Sequence, residues 1–144
     1  MILPDVNVLI YAYNSASRHH ERCAEWLESI LNGDSAVCFS WHTILGFVRI
    51  VTTVRMVPRP FSAVEAMEIA DELLRSPVSK MLIPGDGHFG IFRQLVLDSG
   101  ISGARLADAH IAALAIEHGA TVASADRDFR VFDGLKLIDP LSQH

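Results

Sequence analysis

Leu106-Ala107-Asp108-Ala109-His110-Ile111-Ala112-Ala113-Leu114-Ala115-Ile116-Glu117-His118-Gly119 runs directly into Ala120-Thr121-Val122-Ala123-Ser124-Ala125-Asp126, and this junction settles the architecture. The first part is alanine-rich, apolar nearly all round and stopped by glycine, which predicts a helix for the protein interior. The second is a short apolar run that predicts a strand over 120–124, with an acid just past its carboxyl end. A buried helix feeding a buried strand is the repeating unit of a parallel sheet.

The same alternation extends outward in both directions. A strand is expected at 2–4, followed by a helix from Val6 to Tyr13. Ser17 can cap a helix carrying Cys23, Trp26, Leu27, Ile30 and Leu31 at helical spacing, with Gly33 as its stop. A strand at 36–39 leads to a helix opened by Ser40 and running to about Thr52. Ser62-Ala63-Val64-Glu65 is a capping box, and its helix runs to about Arg75, before Pro77. A strand at 81–83, a helix from His88 to Leu97 stopped by Gly100, and a last strand at 135–138 complete the series. The expected fold class is α/β: a three-layer sandwich with a central parallel sheet flanked by helices, in a single domain spanning 1–144. In such sheets ligands bind beyond the carboxyl ends of the strands.

Composition narrows the classes. The chain has 144 residues, 50% hydrophobic and 20% charged, the balance of a folded protein rather than a disordered one. Its net charge of -5 argues against nucleic-acid binding by bulk positive charge, though not against a local basic surface. A mean hydropathy of +0.28 points to helices buried on more than one side or to a sizeable partner interface. No run is long enough for a membrane span, and the first residues are read as a strand rather than a secretory leader. Cys23 and Cys38 are isolated and apolar in setting, so a reducing, cytoplasmic location is expected.

Most acids sit on solvated helix faces, among them Glu21, Glu25, Glu28, Glu65, Glu68 and Glu72. Three do not. Asp5 lies between the apolar runs Ile2-Leu3-Pro4 and Val6-Asn7-Val8-Leu9-Ile10. Asp108 stands in the first turn of the apolar helix, where an unpaired carboxylate is costly. Asp126 follows the late strand, with Asp128 two residues on. Each alone is also compatible with helix or turn capping. Together they can converge on one sheet edge, where several carboxylates need a compensating cation. Oxygen donors without a Cys/His cluster favour Mg²⁺, with Mn²⁺ as the alternative.

The segments Leu3-Pro4-Asp5-Val6-Asn7-Val8-Leu9, 108–115 and 119–129 resemble those of the PIN-domain ribonucleases, in particular the VapC-type toxins of bacterial toxin–antitoxin pairs. The resemblance covers nearly the whole chain. It implies a metal-dependent endoribonuclease that cuts RNA, is held inactive by a cognate VapB-type antitoxin, and forms a homodimer. It assigns Asp5, Asp108 and Asp126 as the metal-binding and catalytic acids, with Asn7, Ser124 and Asp128 in support. One position departs: the glutamate usual on the third helix falls on Gly46, and nothing between Asp34 and Glu65 is acidic. That departure keeps open an alternative, an inactive PIN-like module that binds RNA or protein.

The acid-free stretch 35–64 contains Arg49, Arg55 and Arg59, a candidate basic face for RNA phosphates. Trp41, Phe47, Val48 and Val51, with Trp26, Leu27 and Leu31, exceed what one buried helix face needs; part is expected in the core and part in a groove for an amphipathic antitoxin helix. His110 is read as a packing or surface residue, and His19, His20, His88 and His118 as surface or capping residues. Gly85-Asp86-Gly87-His88-Phe89-Gly90 matches a dinucleotide fingerprint in letters only, because the acid that should end the next strand instead opens a helix. It is read as a tight loop in which Asp86 caps the following helix. An aspartyl-phosphate domain using Asp5 is disfavoured, since no lysine ends a late strand.

Overall fold

Five short parallel strands form one sheet in the order β3-β2-β1-β4-β5: β1 Ile2–Pro4, β2 Val37–Phe39, β3 Ser79–Met81, β4 Thr121–Ala123 and β5 Lys136–Ile138. The computed structural model describes residues 1–142; Gln143 and His144, the end of the expected single unit, lie outside the described residues. Six helices flank the sheet: α1 Val6–Tyr13, α2 His20–Leu31, α3 Trp41–Val51, α4 Ala63–Arg75, α5 His88–Ser99 and α6 Leu106–His118. Short 3-10 turns at Gly103–Arg105 and Arg127–Val131 precede α6 and follow β4.

Two apolar clusters give the layers. One joins Leu3, Val122 and Leu82 to Leu95 of α5, to Phe129 and to Ala109, Ile111, Ala112, Ala113, Leu114 and Ala115 of α6. The other packs Val37 and Phe39 against Val8 and Leu9 of α1, Leu27 of α2, Phe47 and Val51 of α3, and Leu73 of α4. The alanines explain how α6 fits: small side chains let a helix sit deep without a polar face, and Leu114 alone, fully buried, contributes about 1.5–3 kcal/mol.

Helix ends follow the expected chemistry where the signal is local. Ser40 Oγ accepts from the Thr43 amide at 3.1 Å, and Ser62 and Glu65 form both bonds of a capping box. Gly100 and Gly119 end α5 and α6 at φ 69° and 72°, a left-handed conformation that glycine adopts without a Cβ clash.

Three expectations are corrected. The third strand is Ser79–Met81 rather than 81–83. It is an edge strand paired only with β2, so it needs no continuous apolar run, and Ser79 Oγ donates to the Leu73 carbonyl at the end of α4. Ser17 is not the cap of α2, which begins at His20; its Oγ and carbonyl instead accept from the amides of His19 and His20, turning the chain just before the helix. Asp86 does not cap α5, whose N-cap is Gly87 without a side-chain bond. The loop is held from across the fold: the Gly85 amide donates to Glu117 Oε1 at 2.8 Å, and His118 Nε2 lies 2.9 Å from the Ile83 carbonyl. A Cβ on Gly85 would stand 2.8 Å from Glu117 Oε2, so glycine is what permits this approach.

Candidate metal centre

The chain leaves β1, builds β2 and β3 on one side, then returns to place β4 against the other side of β1. The crevice between the carboxyl ends of β1 and β4 is therefore the point where the winding direction switches, the usual ligand position in open α/β sheets. Asp5 follows β1 and Ser124 and Asp126 follow β4. The Asp5 amide donates to the Ala123 carbonyl at 2.8 Å, fixing the two strand exits side by side.

Asp108, Asp126 and Asp128 each offer a carboxylate oxygen within 4.8 Å of the others. Asp108 reaches the crevice from the first turn of α6 and is half-buried. Asp126 opens the 3-10 turn, its Oδ1 accepting from the Asp128 amide at 2.9 Å, so capping and membership in the acid group coexist. That turn carries the exposed Asp128 back toward Asp108.

Asp5 stands behind this trio. It occupies the N-cap position of α1 without making a side-chain cap bond. The residue is 7% exposed, and Ser124 Oγ donates to its Oδ2 at 3.0 Å. The same Oγ accepts from the Asp126 amide at 3.0 Å, so one buried hydroxyl links the two strand exits. Burial pushes the Asp5 carboxyl up to about 6 against the pull of Ser124 and the Val6 amide, and the Asp108 and Asp126 charges add to the rise. Asp108 is raised too, by burial and by Asp126 and Asp128, with Arg105 and His42 opposing. Buried and mutually repelling oxygens are the donor set of a hard divalent cation, and these residues fit one.

Of the supporting residues, Ser124 is in the site and Asn7 is exposed on the first turn of α1 at the same edge. Of the basic residues Arg49, Arg55 and Arg59, Arg55 is exposed on the turn that follows α3, and the other two lie on elements that lead away from the crevice. Arg49 is in the last turn of α3, whose first turn is the one near the crevice, and Arg59 lines a cavity with Tyr13, Asn14 and Phe61. Gly46 packs against α1: a Cβ there would meet Val6 Cγ2 at 3.3 Å, so its glycine serves close helix contact.

Sequence reasoning missed three neighbours. Arg105, at the start of α6, donates from Nη2 to the Asp128 carbonyl at 2.9 Å and brings Nε to 3.7 Å from Asp128 Oδ2. His42 of α3 is near enough to Asp108 to hold its carboxyl down, and its ring stands 5.7 Å from that of His110. His88, expected at the surface, is half-buried with Nε2 3.0 Å from His110 Nδ1. Burial, His88 and His42 push the His110 imidazole down. The spacing of Arg105, one helical turn before Asp108, was the available signal for the first; the histidines come from three helices and left none.

Residues 2–135 match the PIN domain family. The chain is 36% identical over 140 residues to "Ribonuclease VapC37" of Mycobacterium tuberculosis, covering 97% of each chain. It is 40% identical over 141 residues to "Ribonuclease VapC43" of the same organism, covering 98% of this chain and 96% of that one. Among solved structures, VapBC2 from Rickettsia felis bound to a DNA fragment from their promoter superposes with a TM-score of 0.71 at 17% identity, over 96% of this chain and 98% of that one. The chain belongs to the PIN-domain family, and within it to the VapC ribonucleases.

Proposed function

We propose that the protein is a divalent-metal-dependent endoribonuclease, the toxin of a toxin–antitoxin pair, working on RNA in the cytoplasm. The observation that carries this reading is the gathering of Asp108, Asp126 and Asp128 in front of the buried Asp5 at the sheet's switch point. Asp5, Asp108 and Asp126 hold the cation, Mg²⁺ or Mn²⁺, with Asp128 beside them and Ser124 and Asn7 in support. When bound, the cation supplies Lewis acidity for hydrolytic displacement at an RNA phosphate. The protein's own part is to aim its carboxylates: Ser124 fixes Asp5, and the 3-10 turn fixes Asp126 and Asp128. The purified protein is expected to cut cellular RNA in Mg²⁺ and to stop in excess EDTA. RNA left intact in Mg²⁺ would sink the reading in favour of a binding module, and RNA cut equally in EDTA would remove the metal from it.

The antitoxin's place is the groove between α3 and α4, about 360 Å³, lined by Trp41, His42, Ile44, Leu45, Val48 and Met67. Phe47, Val51 and Leu27 belong to the core, whereas Trp41, Leu45 and Met67 are exposed around this groove. An amphipathic antitoxin helix fits such a surface, and His42 puts it next to the acids. Leu45→Glu is expected to weaken antitoxin capture by about thirtyfold or more, the loss typical of an interface hot spot, while RNA cleavage persists. Undiminished capture in a co-purification assay would place the antitoxin elsewhere.

A further inference from the structure

We propose that Arg105 is the residue that takes a phosphate oxygen of the RNA strand at the acid site, an inference that rests on the ribonuclease reading. The difficulty it answers is electrostatic. A chain of net charge -5 presents clustered carboxylates to a polyanion, and Arg49 and Arg59 of the acid-free stretch stand away from the crevice.

Arg105 is differently placed. Among the described residues it is the one Lys or Arg side chain within ion-pair distance of the acid trio. Its bond from Nη2 to the Asp128 carbonyl fixes the guanidinium, so little side-chain freedom remains to be lost on binding. It is not committed to the Asp128 carboxylate: at 3.7 Å the Nε–Oδ2 approach is no hydrogen bond, and Nε is buried without a partner. The side chain is 36% exposed, and a guanidinium carries five N–H donors in a flat fork that matches phosphate oxygens. Only one of these donors is hydrogen-bonded among the described residues. A purely structural clamp would use the fork on the carboxylate; this one is anchored on a backbone carbonyl beside the acids, and with Nε buried it is the remaining Nη donors that are left for a phosphate oxygen.

The test is the affinity of the full-length protein for a fluorescein-labelled single-stranded RNA in EDTA, where cleavage does not run, across a salt series. Mn²⁺ binding by calorimetry is measured on the same protein preparations after the EDTA has been removed. Arg105→Gln should weaken RNA binding roughly five- to tenfold at low salt and flatten the plot of log affinity against log salt by about 0.7, one phosphate contact on a single strand. Mn²⁺ affinity should not fall, because a competing positive charge has been removed. Arg105→Lys should restore the salt slope but only part of the affinity, since it returns the charge without the fork. Wild-type RNA affinity and slope in Arg105→Gln would overturn the assignment. So would parallel losses of RNA and Mn²⁺, which mark a residue that merely holds Asp128. Wild-type protein that neither binds this RNA nor cuts cellular RNA in Mg²⁺ would refute the ribonuclease reading itself, and this inference with it.

Discussion

Asp5→Asn is expected to lower Mg²⁺-dependent RNA cleavage by about a thousandfold or more, and at the same time to make the metal-free protein harder to unfold at pH 7. The first effect follows from removing a charge from the oxygen set proposed to hold the cation, worth several kcal/mol of transition-state stabilisation. The second follows from burial. A carboxyl raised from 3.8 to about 6 in the folded state binds its proton more tightly there than in the unfolded chain. Between those values the folded state holds more protons, so the group's contribution to stability falls as pH rises through that window. By pH 7 the full penalty applies, about 3 kcal/mol at roughly 1.4 kcal/mol per pH unit. An asparagine keeps an acceptor for Ser124 and removes the charge, so urea unfolding in EDTA at pH 7 should show a gain of about 1–3 kcal/mol. The gain should vanish toward pH 4, and saturating Mg²⁺ should shrink it by stabilising the wild type alone. A variant that cuts RNA normally, or that is no more stable than wild type in EDTA at pH 7, would remove Asp5 from the role given to it.

Ser124→Ala should move stability the other way. Ser124 is 2% exposed, and its hydroxyl serves two partners, Asp5 Oδ2 and the Asp126 amide. Without it both are left buried or half-buried and unsatisfied, a cost of about 1–3 kcal/mol in EDTA. The Asp5 carboxyl loses its strongest downward influence and rises further, so protons compete better with the metal. Mg²⁺ affinity at pH 7 should fall about tenfold to a hundredfold, the range for partners that orient a metal ligand. Raising the pH should recover part of that loss. Metal titration at two pH values checks this, and unchanged affinity at both would show that the serine does not orient the site. The opposite stability signs of the two variants separate a charge effect from general damage to the core.

Much of this was legible in the letters. The alternation of helix and strand, the glycine stops at positions 100 and 119, and the serine caps at 40 and 62 are local signals, and each element they mark is present. Asp5, Asp108 and Asp126 stood out because a carboxylate next to an apolar run demands a reason. Asp128 ranked below them on sequence, yet the 3-10 turn brings it into the acid trio while Asp5 sits behind, a rearrangement that depends on backbone path. What escaped was carried by contacts between distant segments. Glu117 holds the loop through the Gly85 amide where a local reading looks to an Asp86 cap on the next helix, and Arg105 finds Asp128 across 23 positions. The third strand slipped because an edge strand need not look apolar.

The hydrogen bond from Ser124 to Asp5 closes over 119 positions, and its partners stand just past the ends of neighbouring central strands. The acid group is thus assembled from segments far apart in the chain. It takes shape only once β4 has docked beside β1. A partly folded chain in which those two strands are apart lacks the paired exits that bring Asp5 and Asp126 together, so the group is a property of the closed sheet and of no single segment.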